Sequence, residues 1–355
     1  MKVWLPTIRG RSGTDVFTRR LAEALPRYGA EAHVTWISSA WELLPSPLRL
    51  LAPPRDTDVV HANSWNGFAF SRPGLPLVVT CHLNVHDPDY RPYRSVAQAA
   101  YHEIFVKRRE QASFDRATRI SAVGESTRRS MERAFRITKP MSVIPTWVNT
   151  AVFFPRRKPA NRSSAAPFRL LFAGNPTIRK GGDLLVPIME RLGDGFELYC
   201  TAGLRDLKVD RYHPSIKYVG RVSNEQQMAD LYNACDALLF PSRLEGFSLV
   251  VLEAMACGIG IVATRTPTMS DLVRDGETGL LCTQDDVQAF VDACRRLRED
   301  RALLSRLGEC ARDEAAHRYS EQVVVPEYVR LYEQALADVR RVASSRVREQ
   351  HSAHD

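Results

Sequence analysis

Phe240-Pro241-Ser242-Arg243-Leu244-Glu245-Gly246-Phe247-Ser248-Leu249-Val250-Val251-Leu252-Glu253-Ala254-Met255-Ala256-Cys257-Gly258 is the stretch around which the chain is organised. It begins as the end of an apolar run, Ala237 to Phe240, which reads as a buried strand closed by Pro241 and Ser242. Glu245 and Gly246 fall in the turn that follows. Ser248 is an N-cap residue type, the pattern from there to Cys257 is helical, and Gly258 is a stop signal. A second apolar run, Ile259 to Ala263, comes immediately after, so the stretch reads as one βαβ unit.

Two features of this unit point to chemistry. The helix is apolar on every side except at Glu253, so it should be buried, and a buried carboxylate without a partner costs several kcal/mol. The loop end of the same helix offers free N–H groups and the positive pole of the helix dipole at the C-terminal edge of a strand, where α/β folds bind phosphorylated ligands. A ligand with a phosphate between two hydroxylated rings fits that arrangement. The phosphate would lie on the amides near Ser248 to Val250, one ring at Glu245 and the other at Glu253. The plainer reading is a buried helix whose single glutamate satisfies a neighbour.

Glu245 and Glu253 are separated by seven residues inside a Glu-Gly-Phe-Ser-Leu frame. This resembles the E-x7-E motif of the retaining nucleotide-sugar glycosyltransferases of family 4, which have the GT-B fold. The resemblance implies that Glu253 holds the nucleotide ribose hydroxyls and Glu245 the transferred sugar. Gly246, Phe247, Ser248, Leu249 and Val250 would line the donor, Phe247 to Leu249 lending backbone amides.

At 355 residues the chain suits two domains of ordinary size. Its seven cysteines have no paired spacing, an odd number that fits a reducing compartment. Met1-Lys2-Val3-Trp4-Leu5-Pro6 has no hydrophobic signal core, and no apolar run is long enough to span a bilayer, so a cytoplasmic protein is expected. The net charge of +8 is uneven: residues 1–160 carry 24 Lys and Arg against 13 Asp and Glu, and the remainder 25 against 28. A basic half can serve nucleic acid, an anionic membrane surface or a phosphorylated substrate, and charge by itself does not separate these.

Lys2 to Ile8 reads as a first strand, followed by the glycine turn Gly10-Arg11-Ser12-Gly13-Thr14-Asp15 and an amphipathic helix. The turn lacks G-x-G-x-x-G spacing and reads equally as a simple βα connection. In the resembled family this loop approaches the donor diphosphate and the acceptor, which Gly13 permits. Asp58 to Asn63 and Pro76 to His82 read as buried strands delivering His61 and His82 at or near their C-terminal ends. His82 matches the family histidine placed beside the transferred sugar. The set His82, His86, Asp87 and Asp89 raises the question of a metal, but Asn84 and Pro88 make this a loop, and the resemblance implies none. Basic helical segments follow, one from Tyr93 to Ala117 with Lys107, Arg108 and Arg109, another with Arg128, Arg129, Arg133 and Arg136. Such runs are commonly solvated helix faces. Relatives that work on lipid-linked acceptors add the expectation of peripheral contact with an anionic membrane.

Phe154 to Pro167 is a linker by composition. Beyond it, the strand Phe168 to Phe172 leads into Ala173-Gly174-Asn175-Pro176-Thr177-Ile178-Arg179-Lys180-Gly181-Gly182, where two cations beside a glycine pair suit a diphosphate. The resemblance puts Lys180 on the donor diphosphate. The family's usual partner arginine falls at Asn175, and Arg179 is the neighbour that would supply its charge. The Gly220 turn, after the strands Phe196 to Thr201 and Ile216 to Val219, would contact the nucleotide base by the same resemblance.

The reading is therefore an α/β protein of GT-B fold. Two Rossmann-like doubly wound domains, 1–160 for the acceptor and 161–325 for the nucleotide sugar, would face a central cleft, and a C-terminal helix and tail, 326–355, would cross back to the first domain. The function implied is retaining transfer of a hexose-type sugar from a nucleotide-diphosphate sugar to a hydroxyl acceptor in polysaccharide, glycolipid or other glycoconjugate synthesis. Lys180, Glu245 and His82 are the catalytic candidates, without cofactor or metal. Two other classes share some of these features: a basic nucleic-acid-binding protein, for which no reader motif is present, and a nucleotide-sugar epimerase or sensor on the same fold.

Overall fold

Strands and helices alternate along the chain, and every strand pairs in parallel with its neighbours. The computed structural model describes residues 1–10, 12–156, 166–201, 213–222 and 224–352, with side chains described to Ser345. The strands are β1 (Lys2–Ile8), β2 (Glu31–Ile37), β3 (Val59–Asn63), β4 (Leu77–Cys81), β5 (Arg119–Ala122) and β6 (Met141–Val143), then β7 (Phe168–Phe172), β8 (Phe196–Thr201), β9 (Ile216–Gly220), β10 (Ala237–Phe240), β11 (Gly260–Thr264) and β12 (Leu280–Cys282). Among the described residues they form two six-stranded sheets, ordered β2-β1-β3-β4-β5-β6 and β12-β11-β10-β7-β8-β9.

Both sheets are doubly wound, as expected, with different orders. The chain reverses direction across the first sheet between β1 and β3, and across the second between β7 and β10. Loops leaving the C-terminal ends of strands at such a reversal part to opposite sides and leave a crevice, the usual ligand position in open α/β sheets. Burial on both faces explains why β4, β10 and β11 are buried at every residue and almost wholly apolar. In the second sheet Leu171, Leu238, Phe240, Ile261 and Ala263 belong to one core cluster, and Leu170, Phe172, Leu239 and Val262 to the other. That is a strand period of two carried into two separate cores.

The chain divides into two compact units, Met1–Pro145 with Val324–Asp355, and Thr146–Val323. The first change of unit precedes the Pro- and Arg-rich stretch near residue 160 where composition placed it. Val148 N–H donates to the Tyr319 carbonyl at 2.9 Å, and Phe153 lies in the core with Tyr232 and Leu252, so the residues before that stretch already belong to the second unit. The final helix, Glu321–Ser352, joins the first unit from Val324 onward, so most of the segment expected as helix and tail is one helix. The segment expected as one helix from Tyr93 to Ala117 is instead composite. A 3-10 turn, Pro88–Tyr93, precedes an α-helix that starts at a Ser95–Gln98 capping box, and a π-helical turn, His102–Val106, leads into Lys107–Arg116.

The final helix is tied to the first sheet through a buried histidine. His61 Nδ1 lies 2.7 Å from Tyr332 Oη and Nε2 lies 2.7 Å from Thr80 Oγ1. Burial, with a smaller push from His82, lowers the His61 pKa from 6.5 to about 3. A base whose pKa falls on folding stabilises the native state above its unfolded pKa and loses that contribution as pH drops. Between 6.5 and about 3, acid should therefore weaken the fold by up to about 1.4 kcal/mol per pH unit for this group. Urea unfolding measured across that range checks it: the slope should shrink in His61→Gln, and an equal slope in the variant would exclude His61 as the source.

Candidate active site

Two loops leave the C-terminal ends of the neighbouring strands β7 and β10, at the reversal of the second sheet. The first carries Gly174 to Gly182 and the second Pro241 to Ser248. They are joined backbone to backbone: Arg243 N–H donates to the Arg179 carbonyl at 2.8 Å. Gly181 has φ +69°, and a Cβ there would stand 2.1 Å from the Pro241 carbonyl oxygen. Only glycine permits that approach and that dihedral together.

Lys180 and Glu245 meet in this joint. Lys180 Nζ lies 3.8 Å from Glu245 Oε1 and 5.8 Å from the centre of the Phe240 ring. It passes so close to Gly174 that a Cβ there would stand 3.0 Å from Nζ. Glu245 Oε1 also accepts from Ser242 Oγ at 2.8 Å and from Arg179 at 3.2 Å. Burial pushes the Glu245 carboxyl up, but Lys180, Arg179 and Ser242 outweigh it and leave the group below its ordinary value, hence ionised. Burial lowers the Lys180 ammonium, with Glu245 opposing and Arg179 assisting. Arg179 also donates to the Leu244 carbonyl at 2.5 Å, so its guanidinium is turned into the second loop. Asn175, half-buried, lies on the first loop with its carbonyl accepting from Thr177 N–H at 2.8 Å.

The helix Leu249–Ala256 begins where the sequence places it. Ser248 caps it, its side chain accepting from Val251 N–H, and Gly258 ends it with φ +65°. Gly246 is buried and Phe247 packs edge-on against Tyr319 with ring centres 5.4 Å apart. Leu249 and Val250 occupy the first turn, whose amides have no carbonyl partner within the helix. Glu253, 8% exposed, receives the Tyr232 hydroxyl at 3.1 Å, and the same hydroxyl is 3.0 Å from the Val250 carbonyl. Gly220 ends β9 with φ +72° and open space around its α-carbon.

Arg243 is the functional neighbour that sequence reasoning missed. Its guanidinium, 5% exposed, holds both Asp183 carboxylate oxygens at 2.7 and 2.8 Å and Asp285 at 2.7 Å, and donates to the Ile178 carbonyl. The Asp183 bond raises its pKa most, burial opposes, and Asp285 adds to the rise. It thus pins the turn bearing Arg179 and Lys180. An arginine in a turn flanked by Ser242 and Leu244 and closed by an apolar helix needs acidic partners, and that was the available signal.

His82 and Gly13 belong to the first unit. His82 follows β4, with its ring 4.5 Å from that of Phe17 on the helix Gly13–Ala24, which Gly13 opens. Burial lowers its pKa to about 4, and its Nε2 has no hydrogen-bond partner among the described residues. Two of the residues weighed as a metal set, His86 and Asp87, have partners of their own. His86 Nε2 lies 3.1 Å from Glu110 Oε2, and Asp87 caps the Pro88–Tyr93 turn and accepts from Ser130 Oγ at 2.6 Å. Among the described residues no group of three or more His, Cys, Asp or Glu is arranged to hold a metal ion, and no helix is long and apolar enough to cross a membrane.

Residues 36–152 match the model of Glycosyltransferase Family 4, and residues 167–300 that of Glycosyl transferases group 1. The chain is 30% identical over 317 residues to the MMP alpha-(1->4)-mannosyltransferase of Mycolicibacterium hassiacum, covering 82% of this chain and 74% of that protein. It is 32% identical over 147 residues to the N-acetyl-alpha-D-glucosaminyl L-malate synthase of Bacillus anthracis, a match spanning 41% of this chain and only 37% of that relative. Sucrose-phosphate synthase from Thermosynechococcus elongatus superposes with a TM-score of 0.81 at 20% identity, covering 95% of this chain and 99% of that one, a likeness of fold.

Proposed function

Because the chain belongs to the glycosyltransferases of family 4 and group 1, we propose that it is a retaining enzyme moving a hexose-type sugar from a nucleotide-diphosphate sugar to a hydroxyl acceptor. The observation that carries this reading is the half-buried Lys180–Glu245 pair at the reversal of the second sheet, beside the N-terminus of the Leu249–Ala256 helix. The mannosyl and N-acetylglucosaminyl groups named for the two relatives support a hexose-type donor.

In this reading the diphosphate lies against Lys180 and the amides of Leu249 and Val250. The acceptor oxygen attacks the anomeric carbon on the face the diphosphate leaves, the bond from that carbon to the phosphate oxygen breaks, and the acceptor proton passes to the departing diphosphate. Lys180 and the amides neutralise the charge that develops there, a contribution of about 3 kcal/mol per well-placed donor. Glu245, ionised, accepts hydrogen bonds from sugar hydroxyls and is a positioning carboxylate. Glu253 takes the ribose hydroxyls, and His82, neutral above pH about 4, hydrogen-bonds the transferred sugar. Charge neutralisation is assigned to protein groups, so activity should persist in EDTA; its loss there, restored by a divalent ion, would overturn that assignment.

Thermal denaturation with UDP-, GDP- and ADP-sugars identifies the donor, since binding to the native state raises stability. NMR of the product, or of slowly hydrolysed donor, then reads the anomeric configuration. Retention supports the proposal; inversion, an isomerised donor, or binding without turnover overturns it. Glu253→Ala should weaken donor binding by about tenfold or more, the worth of a charged hydrogen bond, while turnover at saturation changes less. Glu245→Ala should mainly reduce turnover, and the same pattern in both variants would refute the division of roles.

A further inference from the structure

His82 stands one residue beyond β4, and its Nε2, buried, has no hydrogen-bond partner among the described residues. What meets the ring is Phe17, 4% exposed on the helix Gly13–Ala24. The two rings lie edge to face, with centres 4.5 Å apart and planes at 66°. Phe17 also meets Tyr328 of the final helix at 5.6 Å and His61 on β3 at 6.2 Å. His61 in turn stacks on Tyr328 at 5.8 Å and is bonded to Tyr332 and to Thr80, two positions before His82 on β4. Phe17 is therefore wedged between His82 and groups already fixed by hydrogen bonds, all within the first unit.

The terminal torsion of a histidine is broad, so an imidazole without a hydrogen bond at Nε2 turns unless something packs against it. A phenyl ring at 4.5 Å supplies that restraint, and ring pairs of this geometry add a preference beyond the area they bury. The same ring displaces water, and burial is what lowers the His82 pKa to about 4. Of the titratable groups around the rings, His61 is neutral for the same reason, and burial pushes the Tyr328 and Tyr332 hydroxyls up. None of the three supplies a negative charge that would draw a proton to His82. Asp15, on the helix of Phe17, is turned to the Gly10 N–H at 3.1 Å.

We propose that Phe17 is a positioning residue for the transfer reaction: its ring, backed by Tyr328, holds the His82 imidazole in the orientation that turns Nε2 to the transferred sugar. The inference rests on the reading of His82 as a contact of that sugar. A core phenylalanine without such a task is replaceable by an aliphatic side chain of similar volume at a cost in stability alone. Here the replacement also frees the imidazole to turn and admits water to it, so that it takes a proton nearer the ordinary histidine pKa.

Phe17→Leu tests it, with Phe17→Tyr to restore the ring and Phe17→Met as the milder change if Phe17→Leu fails to fold. With the nucleotide sugar that thermal denaturation selects, turnover of Phe17→Leu at saturating donor and mildly basic pH should fall about twofold to tenfold, the worth of an edge-on ring pair, with a smaller change in donor KM. The loss should deepen between about pH 8 and pH 5, where the parent His82 stays neutral and that of the variant titrates. Phe17→Tyr should recover most of the turnover and the parent profile. NMR of isotope-labelled histidine, with the His82 signal identified by its absence in His82→Gln, follows the same titration without donor or acceptor. Unfolding is measured at each pH, so that loss of fold is not read as loss of turnover. A pH profile parallel to the parent's, a His82 titration unchanged in Phe17→Leu, or no recovery in Phe17→Tyr overturns the proposal. Full turnover in His82→Gln removes the sugar contact and the positioning role with it; that failure belongs to the underlying reading and is told apart because the NMR titration still reports the contact between the rings.

Discussion

Lys180→Ala should lower turnover by about 10²- to 10³-fold at saturating donor, the usual loss when one preorganised donor to a leaving group is removed. The ammonium is placed for that task by three independent constraints. Gly174 has no side chain to displace it, Phe240 offers its ring face at 5.8 Å, and Glu245 holds it at 3.8 Å. Removing it leaves Glu245 bonded to Ser242 and Arg179, so the carboxylate keeps partners and the loop keeps its shape. The variant should therefore remain folded and bind donor with a much smaller change than its loss in turnover. Lys180→Arg should recover part of the activity, since charge is retained but its position shifts. Wild-type turnover in Lys180→Ala would end the leaving-group role, and a purely structural role would appear as a lowered unfolding midpoint with donor affinity and turnover falling together.

The second large effect concerns backbone. Gly181→Ala should destabilise the second unit by about 3 kcal/mol, combining the left-handed strain of a non-glycine residue with an overlap against the Pro241 carbonyl. Gly220→Ala separates these terms. It has nearly the same dihedral, φ +72° against +69°, but nothing within 4 Å of the added Cβ, so it should cost only about 1 kcal/mol. Urea unfolding of both variants reads the difference. Because Gly181 follows Lys180 directly, its variant should also lose activity at temperatures where it remains folded. Equal destabilisation in the two would mean that the loops part without cost and that their close approach does not hold the site.

Much of this molecule was legible in the chain. The limits of β1, β7, β8 and β10 follow directly from apolar runs and turn residues, and the Ser248 cap and Gly258 stop mark the helix between them. Where the reading fell short, local signals were weak or mixed. The 3-10 turns Ser39–Glu42 and Ser46–Leu50 lie in a proline- and leucine-rich stretch with no period to detect, and the π-helical turn His102–Val106 interrupts a segment whose charges still repeat like a helix. For Glu253, burial on an apolar helix predicted a polar partner, but not that Tyr232, 21 positions away, would supply it.

Local pattern alone determined that there would be βαβ units, that Lys180 and Glu245 would each stand in a loop after a buried strand, and that a lone carboxylate would sit in the following helix. Which loops become neighbours was decided only in three dimensions. Strand order depends on pairing between segments far apart in the chain, and β10 takes its place beside β7 although β8 and β9 intervene in sequence. That single placement brings Lys180 to Glu245, lets Gly181 meet Pro241, and gives the buried Arg243 its Asp183 partner, while Asp285 comes from beyond β12 on the other side of β10. Each is a contact whose free energy depends on a partner that periodicity along the chain does not identify.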